Sequence, residues 1–186
     1  VRIERLRREY EIEVCWRAFP LHPDTPEEGL TLEELFAGRS VDSEQMMARL
    51  RQVAGELGLP LGKREKTYNS RLAQELGKWA ESLDRGDAFH KAVFRAYFLD
   101  GRNIGKIPEL VELSKSMGLP AEEALRVLET RAFREAVDSD WSLAYKMNVT
   151  AVPTFLMGRR AVVGAQPYEV LQQLMKVCGV KKGGRA

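Results

Sequence analysis

The chain has 186 residues, 29 of them Lys or Arg and 27 Asp or Glu, for a formal net charge of +2. The two signs are interspersed, so no one-signed field exists to attract nucleic acid or an anionic membrane surface, and no apolar run approaches the length that spans a bilayer. Neither a nucleic-acid nor a membrane partner is therefore expected, and the length suits one core, alone or with an inserted subdomain.

Val1-Arg-Ile-Glu-Arg-Leu-Arg-Arg-Glu-Tyr10 places Ile3, Leu6 and Tyr10 on one face, with no capping residue ahead of Val1. It reads as the later turns of an amphipathic helix, and we expect further chain before it, which leaves a secretory leader open. Glu11-Ile-Glu-Val-Cys-Trp-Arg17 then alternates, with Ile12, Val14 and Trp16 on one side and Glu11, Glu13, Cys15 and Arg17 on the other, the pattern of a half-buried strand. Helix followed directly by strand is the second half of a βαβ-type unit. Residues 19–29 hold three prolines and a glycine and read as an ordered surface loop.

From Thr31 to about Met147 the pattern is helical. Thr31-Leu-Glu-Glu34 and Asp42-Ser-Glu-Gln45 resemble capping boxes, the second opening a stripe of Met46, Met47, Leu50, Val53 and Leu57. Helices are predicted at 71–83, on Leu72, Leu76 and Trp79, and at 87–99, on Phe89, Val93, Phe94, Tyr97 and Phe98. Three shorter ones follow at 106–117, 121–130 and 133–148. All these stripes are read as core, because amphipathic packing alone explains their period.

Thr154-Phe-Leu-Met157 and Ala161-Val-Val163, joined by Gly158-Arg-Arg160, predict a β-hairpin. Ala165-Gln-Pro-Tyr-Glu169 opens a last helix, with Val170, Leu171, Leu174 and Val177 apolar. The segment Asn148-Val-Thr-Ala-Val-Pro-Thr-Phe-Leu-Met157 stands where the helical block ends. Pro153 cannot donate to a ladder, so it belongs at the turn that begins a strand. Only about one X–Pro bond in twenty is cis in folded proteins, so by itself Val152–Pro153 reads as trans.

The order of elements, with Trp16-Arg-Ala-Phe-Pro-Leu21, Asn69-Ser-Arg71, Phe94-Arg-Ala-Tyr-Phe98, Val149-Thr-Ala-Val-Pro-Thr-Phe155 and Gly164-Ala-Gln-Pro167, resembles the DsbA family, and within it the FrnE-like branch. The resemblance runs from Val1 to about Val177. It implies an α/β, thioredoxin-like fold with a large all-helical insertion: a partial core at 1–30, the insertion at 31–147, the terminal hairpin and helix at 148–178, and a tail at 179–186 that we read as frayed. The family's first, central strand and its Cys-x-x-Cys motif are absent from this chain, and the resemblance puts them just ahead of Val1.

The resemblance further implies protein thiol-disulfide exchange. A cis Pro153 would stand as the catalytic-site proline, with Val152 and Thr154 beside it on a wall that faces a thiol- or disulfide-containing peptide or protein. Gln166 contacts substrate or caps the last helix. Asn69 and Arg71 read as a cap and an ion-paired side chain, and His22 as a loop residue.

The remaining cysteines are poor substitutes for the missing pair. Cys15 sits at a strand position as a small core residue, and Cys178 lies in the last turn of a helix. The chain itself is therefore expected to be inactive. Two widely separated cysteines suit a cytoplasmic setting without disulfides, and two histidines give no metal site, so neither metal nor cofactor is expected.

Two alternatives stay open. One is the glutathione-dependent kappa-transferase and hydroxychromene-carboxylate isomerase branch, which has serine for the first cysteine and a Gly-Gln-Asp-Arg pattern where this chain has Gly164-Ala-Gln-Pro167. The other is a redox-inactive peptide-binding module.

Overall fold

The computed structural model describes residues 2–38 and 42–183. Val1, the expected first residue of the opening helix, and Gly184, Arg185 and Ala186 of the expected tail lie outside the described residues. The chain divides into two compact units, Val1–Leu21 with Ser139–Ala186, and His22–Asp138.

The helical unit thus covers residues 22–138, against the expected 31–147, and hydrogen bonds supply the reason. Asn69 Nδ2 donates to the carbonyls of Pro23 (3.1 Å) and Thr25 (2.8 Å), and Asn103 Nδ2 donates to that of Glu27 (2.9 Å). Lys106 Nζ lies 3.0 Å from the Glu28 carboxylate. The proline-rich loop is therefore strapped onto the helices that follow it.

This unit contains β1 (Leu30–Thr31), α2 (Leu32–Leu35), α3 (Ser43–Glu56), β2 (Lys66–Thr67), α4 (Arg71–Ser82), α5 (Gly86–Phe98), α6 (Ile107–Ser116), α7 (Ala121–Thr130) and the first turn of α8 (Arg134–Lys146). Capping chemistry sets the early starts. Thr31 Oγ1 accepts from the Glu34 N–H while the Glu34 carboxylate accepts from the Thr31 N–H, a complete capping box, and Asp42 Oδ1 accepts from the Gln45 N–H. β1 and β2 form an antiparallel ladder of only two residue pairs, too short to leave a periodic signal. Leu76, Ala80, Leu110, Ala124 and Leu128 are completely buried and form the core with Trp79 and Phe89.

Two of the expected core stripes are corrected. On α3 only Met47 of the five apolar residues is buried, while Met46 and Leu50 are 38% and 40% exposed, because among the described residues α3 shares no extended packing with another element. On α5, Phe94 is 51% exposed. It lies five positions on from the buried Phe89, about 140° around the helix, and faces outward with His90.

A buried ion cluster joins α4 to α7 and α8. Glu75, 1% exposed, accepts hydrogen bonds from Arg71 Nε (2.6 Å) and from Arg131 Nε and Nη2 (2.7 and 2.6 Å). Arg71 also donates to Asp138 (2.6 Å) and to the carbonyl of Arg134 (3.0 Å). Burial alone raises a carboxyl pKa, but the hydrogen bonds from Arg131 and Arg71 outweigh it and hold Glu75 below the usual carboxylate range.

The other unit holds α1 (Arg2–Glu9), the remainder of α8, β3 (Thr154–Met157), β4 (Arg160–Val163) and α9 (Tyr168–Val177). Leu6 and Tyr10 pack with Tyr168, Leu171, Leu174 and Met175, and Phe155, Met157 and Val162 close over them from the hairpin. The hairpin turns on Gly158 and Arg159 alone, with Met157 opposite Arg160 and Gly158 at φ +59°, a glycine-first two-residue turn.

The expected strand at 11–17 does not form. The Ile12 N–H bonds back to the Tyr10 carbonyl (3.0 Å), a three-residue turn that breaks an extended ladder, and neither β3 nor β4 pairs with the segment. Its alternation survives only in part: Ile12 and Val14 are half-buried and Cys15, on the other side, is exposed, but Trp16 is 37% exposed. The start of the tail, in contrast, is paired. Tyr10 bridges Lys182, the Glu11 N–H donates to Lys181, and the Gly183 N–H donates to Glu9.

Replacing Glu75 by Gln keeps its shape and removes the charge that two guanidinium groups share. The expected loss is about 3 kcal/mol in urea denaturation at pH 7. Because the folded carboxyl pKa lies below the unfolded value near 4.5, the stabilisation is complete above that value and is lost as the pH falls through the folded one. Glu75→Gln should therefore flatten the acid side of the stability profile, and an unchanged acid slope would contradict this role.

Candidate functional site

The chain reaches Pro153 from the end of α8, and that end is defined by its own hydrogen bonds. The Asn148 N–H bonds to the Tyr145 carbonyl (3.0 Å) and the Val149 N–H to the Ala144 carbonyl (2.9 Å), with Asn148 at φ +52°. This is a Schellman stop with asparagine in the left-handed position, one of the few residues besides glycine suited to it. Four residues later comes the Val152–Pro153 bond, which is cis.

The ladder of β3 and β4 begins at Thr154, opposite Val163. One more bond extends it, from the Gly164 N–H to the Pro153 carbonyl (2.7 Å), with Gly164 at φ +86°. On the other side of the proline, Thr154 Oγ1 donates to the Ala151 carbonyl (2.6 Å). The carbonyls of Ala151 and Pro153 are thus both held. Between them the backbone carries only the N–H and C=O of Val152, since proline has no N–H. Neither Val152 group is hydrogen-bonded within the described residues, and Val152 is 44% exposed.

Gln166, half-buried, donates through Nε2 to the Val163 carbonyl (2.9 Å), and its own N–H donates to Gly164 (2.9 Å). Its amide therefore braces the strand end beside Gly164. The backbone cap of α9 is Pro167, without a side-chain hydrogen bond. Arg2 adds a contact that sequence reasoning missed, Nη1 donating to the Ala165 carbonyl (3.1 Å). The structure thus brings Val152, Pro153, Thr154 and Gln166 into one surface formed by two adjoining backbone segments.

Asp140 was also missed. It is 3% exposed on α8 and accepts from the Ala18 N–H (2.9 Å) and Arg17 Nη1 (3.0 Å), which anchors the Trp16–Leu21 motif. Its signal, a carboxylate in a helix with a basic segment far away in sequence, has no local period. In the helical unit, Asn69 accepts from the Arg71 N–H (2.9 Å) besides holding the loop, Arg71 is committed to Glu75 and Asp138, and the His22 ring stands edge-on to Phe36.

Cys15 is exposed, a correction to the expected core position, because it alternates onto the side of Glu11, Glu13 and Arg17; its Sγ lies 3.9 Å from a Glu13 carboxylate oxygen. Cys178 is half-buried at the end of α9, its Sγ 3.7 Å from the Met157 carbonyl. It lines a cleft of about 570 Å³ with Glu11, Glu13, Arg159 and Arg160. That cleft is at the turn end of the hairpin, while Pro153 is at its open end. Among the described residues no group of three or more His, Cys, Asp and Glu side chains could hold a metal, and no helix is long and apolar enough to cross a membrane.

Comparison with known proteins finds relatives of the chain. The sequence model for the DSBA-like thioredoxin domain matches residues 1–176. A crystal structure of a probable DsbA oxidoreductase, SCO1869 from Streptomyces coelicolor, superposes with a TM-score of 0.84 at 28% identity, covering 100% of this chain and 83% of that one. A 2-hydroxychromene-2-carboxylate isomerase superposes at 0.69 with 19% identity, over 96% of this chain and 85% of the other, which is a likeness of fold. The uncharacterized protein YwbO of Bacillus subtilis (strain 168) is 32% identical over 103 residues, 55% of this chain; the match spans about half the length of that relative, 52%.

The two thiols differ enough in exposure to be told apart chemically. Iodoacetamide added to the folded chain is expected to alkylate Cys15 several-fold faster than Cys178, as followed by peptide mass spectrometry, with the difference vanishing in urea. Equal native rates would contradict the exposures described.

Proposed function

Because this chain belongs to the DSBA-like thioredoxin domain family, we propose that it serves thiol-disulfide exchange of the FrnE type, and that the Val152–Pro153 loop is the wall against which a cysteine-bearing peptide or protein lies. The observation that carries this reading is the unbonded backbone of Val152. Its N–H and C=O, unbonded among the described residues and set between two held carbonyls just ahead of β3, can take up an extended peptide by main-chain hydrogen bonds. Such pairing is indifferent to most side chains, as an enzyme acting on varied cysteine-containing segments requires.

The chain's own cysteines do not supply the reacting pair. Disulfide exchange needs a thiolate that attacks one sulfur and a second thiol that resolves the mixed disulfide, and Cys15 and Cys178 are neither in Cys-x-x-Cys spacing nor beside Pro153 in the hairpin. The residues of the Val152–Pro153 loop then hold substrate, and the dithiol comes from residues outside them. A cytoplasmic setting goes with this role, in keeping with two thiols that make no disulfide. A glutathione-dependent transferase or isomerase reading has likeness of fold behind it, but Gly164-Ala-Gln-Pro167 lacks that branch's Gly-Gln-Asp-Arg pattern.

The test is insulin reduction in the presence of dithiothreitol. The 186-residue chain alone is expected to give no acceleration over buffer. It is nevertheless expected to bind an S-methylated cysteine pentapeptide, with amide shift changes in ¹⁵N spectra concentrated at residues 151–154 and 163–166. Turnover comparable to that of a Cys-x-x-Cys oxidoreductase, or peptide shifts confined to other regions, would overturn the proposal.

A further inference from the structure

We propose that Thr154 is a positioning residue for substrate: its hydroxyl, by holding the Ala151 carbonyl, keeps the Val152 N–H and C=O turned outward for a peptide strand. The inference rests on the reading of Val152–Pro153 as the substrate wall and adds the device that presents it.

The loop has few groups with which to pair. Ala151, Val152 and Pro153 carry three carbonyls, and only the Val152 and Ala151 nitrogens have hydrogens to give. The Pro153 carbonyl is taken by the Gly164 N–H at 2.7 Å, as the last bond of the β3–β4 ladder. The ladder goes no further, so nothing in the sheet orients the chain ahead of the proline. The Thr154 hydroxyl does so instead, reaching back three residues to the Ala151 carbonyl at 2.6 Å and closing a ring around the Val152–Pro153 dipeptide.

With both flanking carbonyls fixed, rotation of the Val152 peptide groups is restricted from both ends. A peptide strand then meets a donor and an acceptor already in place and loses less conformational freedom on binding. The side chain suits the task on two counts. Threonine is β-branched and favours the extended backbone of the first residue of β3, and its hydroxyl reaches a nearby carbonyl without a long, floppy stem. Half-buried, Thr154 acts on substrate through the backbone it holds.

The experiment compares the full chain with Thr154→Val, which keeps the β-branched shape and loses the hydroxyl, and Thr154→Ser, which keeps the hydroxyl. Each is titrated with N-acetyl Ser-Val-Cys(S-methyl)-Val-Ser, binding is read from ¹⁵N amide shifts, and melting is followed by circular dichroism. Thr154→Val is expected to bind roughly fivefold more weakly, the worth of one hydrogen bond, with a melting profile like that of the parent. Thr154→Ser is expected to restore affinity to within about twofold of the parent, since it keeps that bond. A role in folding alone would lower melting in Thr154→Val and leave peptide binding by the folded chain unchanged. If the parent binds and Thr154→Val binds equally, or if Thr154→Ser is as weak as Thr154→Val, the positioning role is overturned and the substrate wall stands. If the parent does not bind the peptide at all, the substrate wall fails and the positioning role falls with it.

Discussion

A proline has a carbonyl to give to a β-ladder and no N–H, and the end of this hairpin is arranged around that asymmetry. The ladder of β3 and β4 reaches Pro153 through its carbonyl, which the Gly164 N–H takes, and then stops. Everything upstream is held by other means. The Thr154 hydroxyl secures Ala151, and the left-handed Asn148 ends α8 four residues before Val152, so the loop is too short to wander. Between these restraints the Val152 N–H and C=O are unbonded among the described residues.

The helical unit solves a different problem, that of tying irregular chain to helices. Asn69 and Asn103 do it in the same way: each accepts from a backbone N–H two residues on and donates its amide to carbonyls of the 22–29 loop. A side chain that turns its own backbone while gripping a distant one orders both segments at once. Glu75 does the corresponding work between helices. An unpaired carboxylate at its depth would be strongly unfavourable, so Arg71 and Arg131 are required partners, and Arg131 accepts a left-handed backbone, φ +55°, at the end of α7 while it reaches Glu75.

In the other unit the alternation of the hairpin sorts its side chains. Phe155 and Val162 turn toward α1 and α9, whereas Leu156 and Val163, on the opposite face, are 43% and 51% exposed. The fold is nevertheless that of a thioredoxin-like DSBA domain, helix-rich with few strands, as the match to the family and the superposition on SCO1869 show. Within such a fold a hairpin of four residues per strand is enough to set the Val152–Pro153 loop, because the loop's restraints all lie within the hairpin and the helix end beside it.

Signals that act over a few residues are legible in the amino-acid sequence by itself. The capping groups at Thr31 and Asp42, the helices from 71 to 146, the glycine turn at Gly158, the final helix and the place of Pro153 before a strand all follow from hydrogen bonds or side-chain periods within one or two turns of chain. What only the tertiary structure decided depends on a distant partner. The residues of 11–17 alternate like a strand, but a strand exists by its ladder, and here Ile12 turns back on Tyr10, so Trp16, on the apolar side, comes out exposed. The α3 stripe has the period of a buried face, but burial needs something to pack against. Thr154 and Gln166 are recognisable as polar residues beside the proline, yet which carbonyl each holds, and hence that the Val152 backbone remains open between them, depends on how the hairpin brings residues 151–154 and 163–166 together.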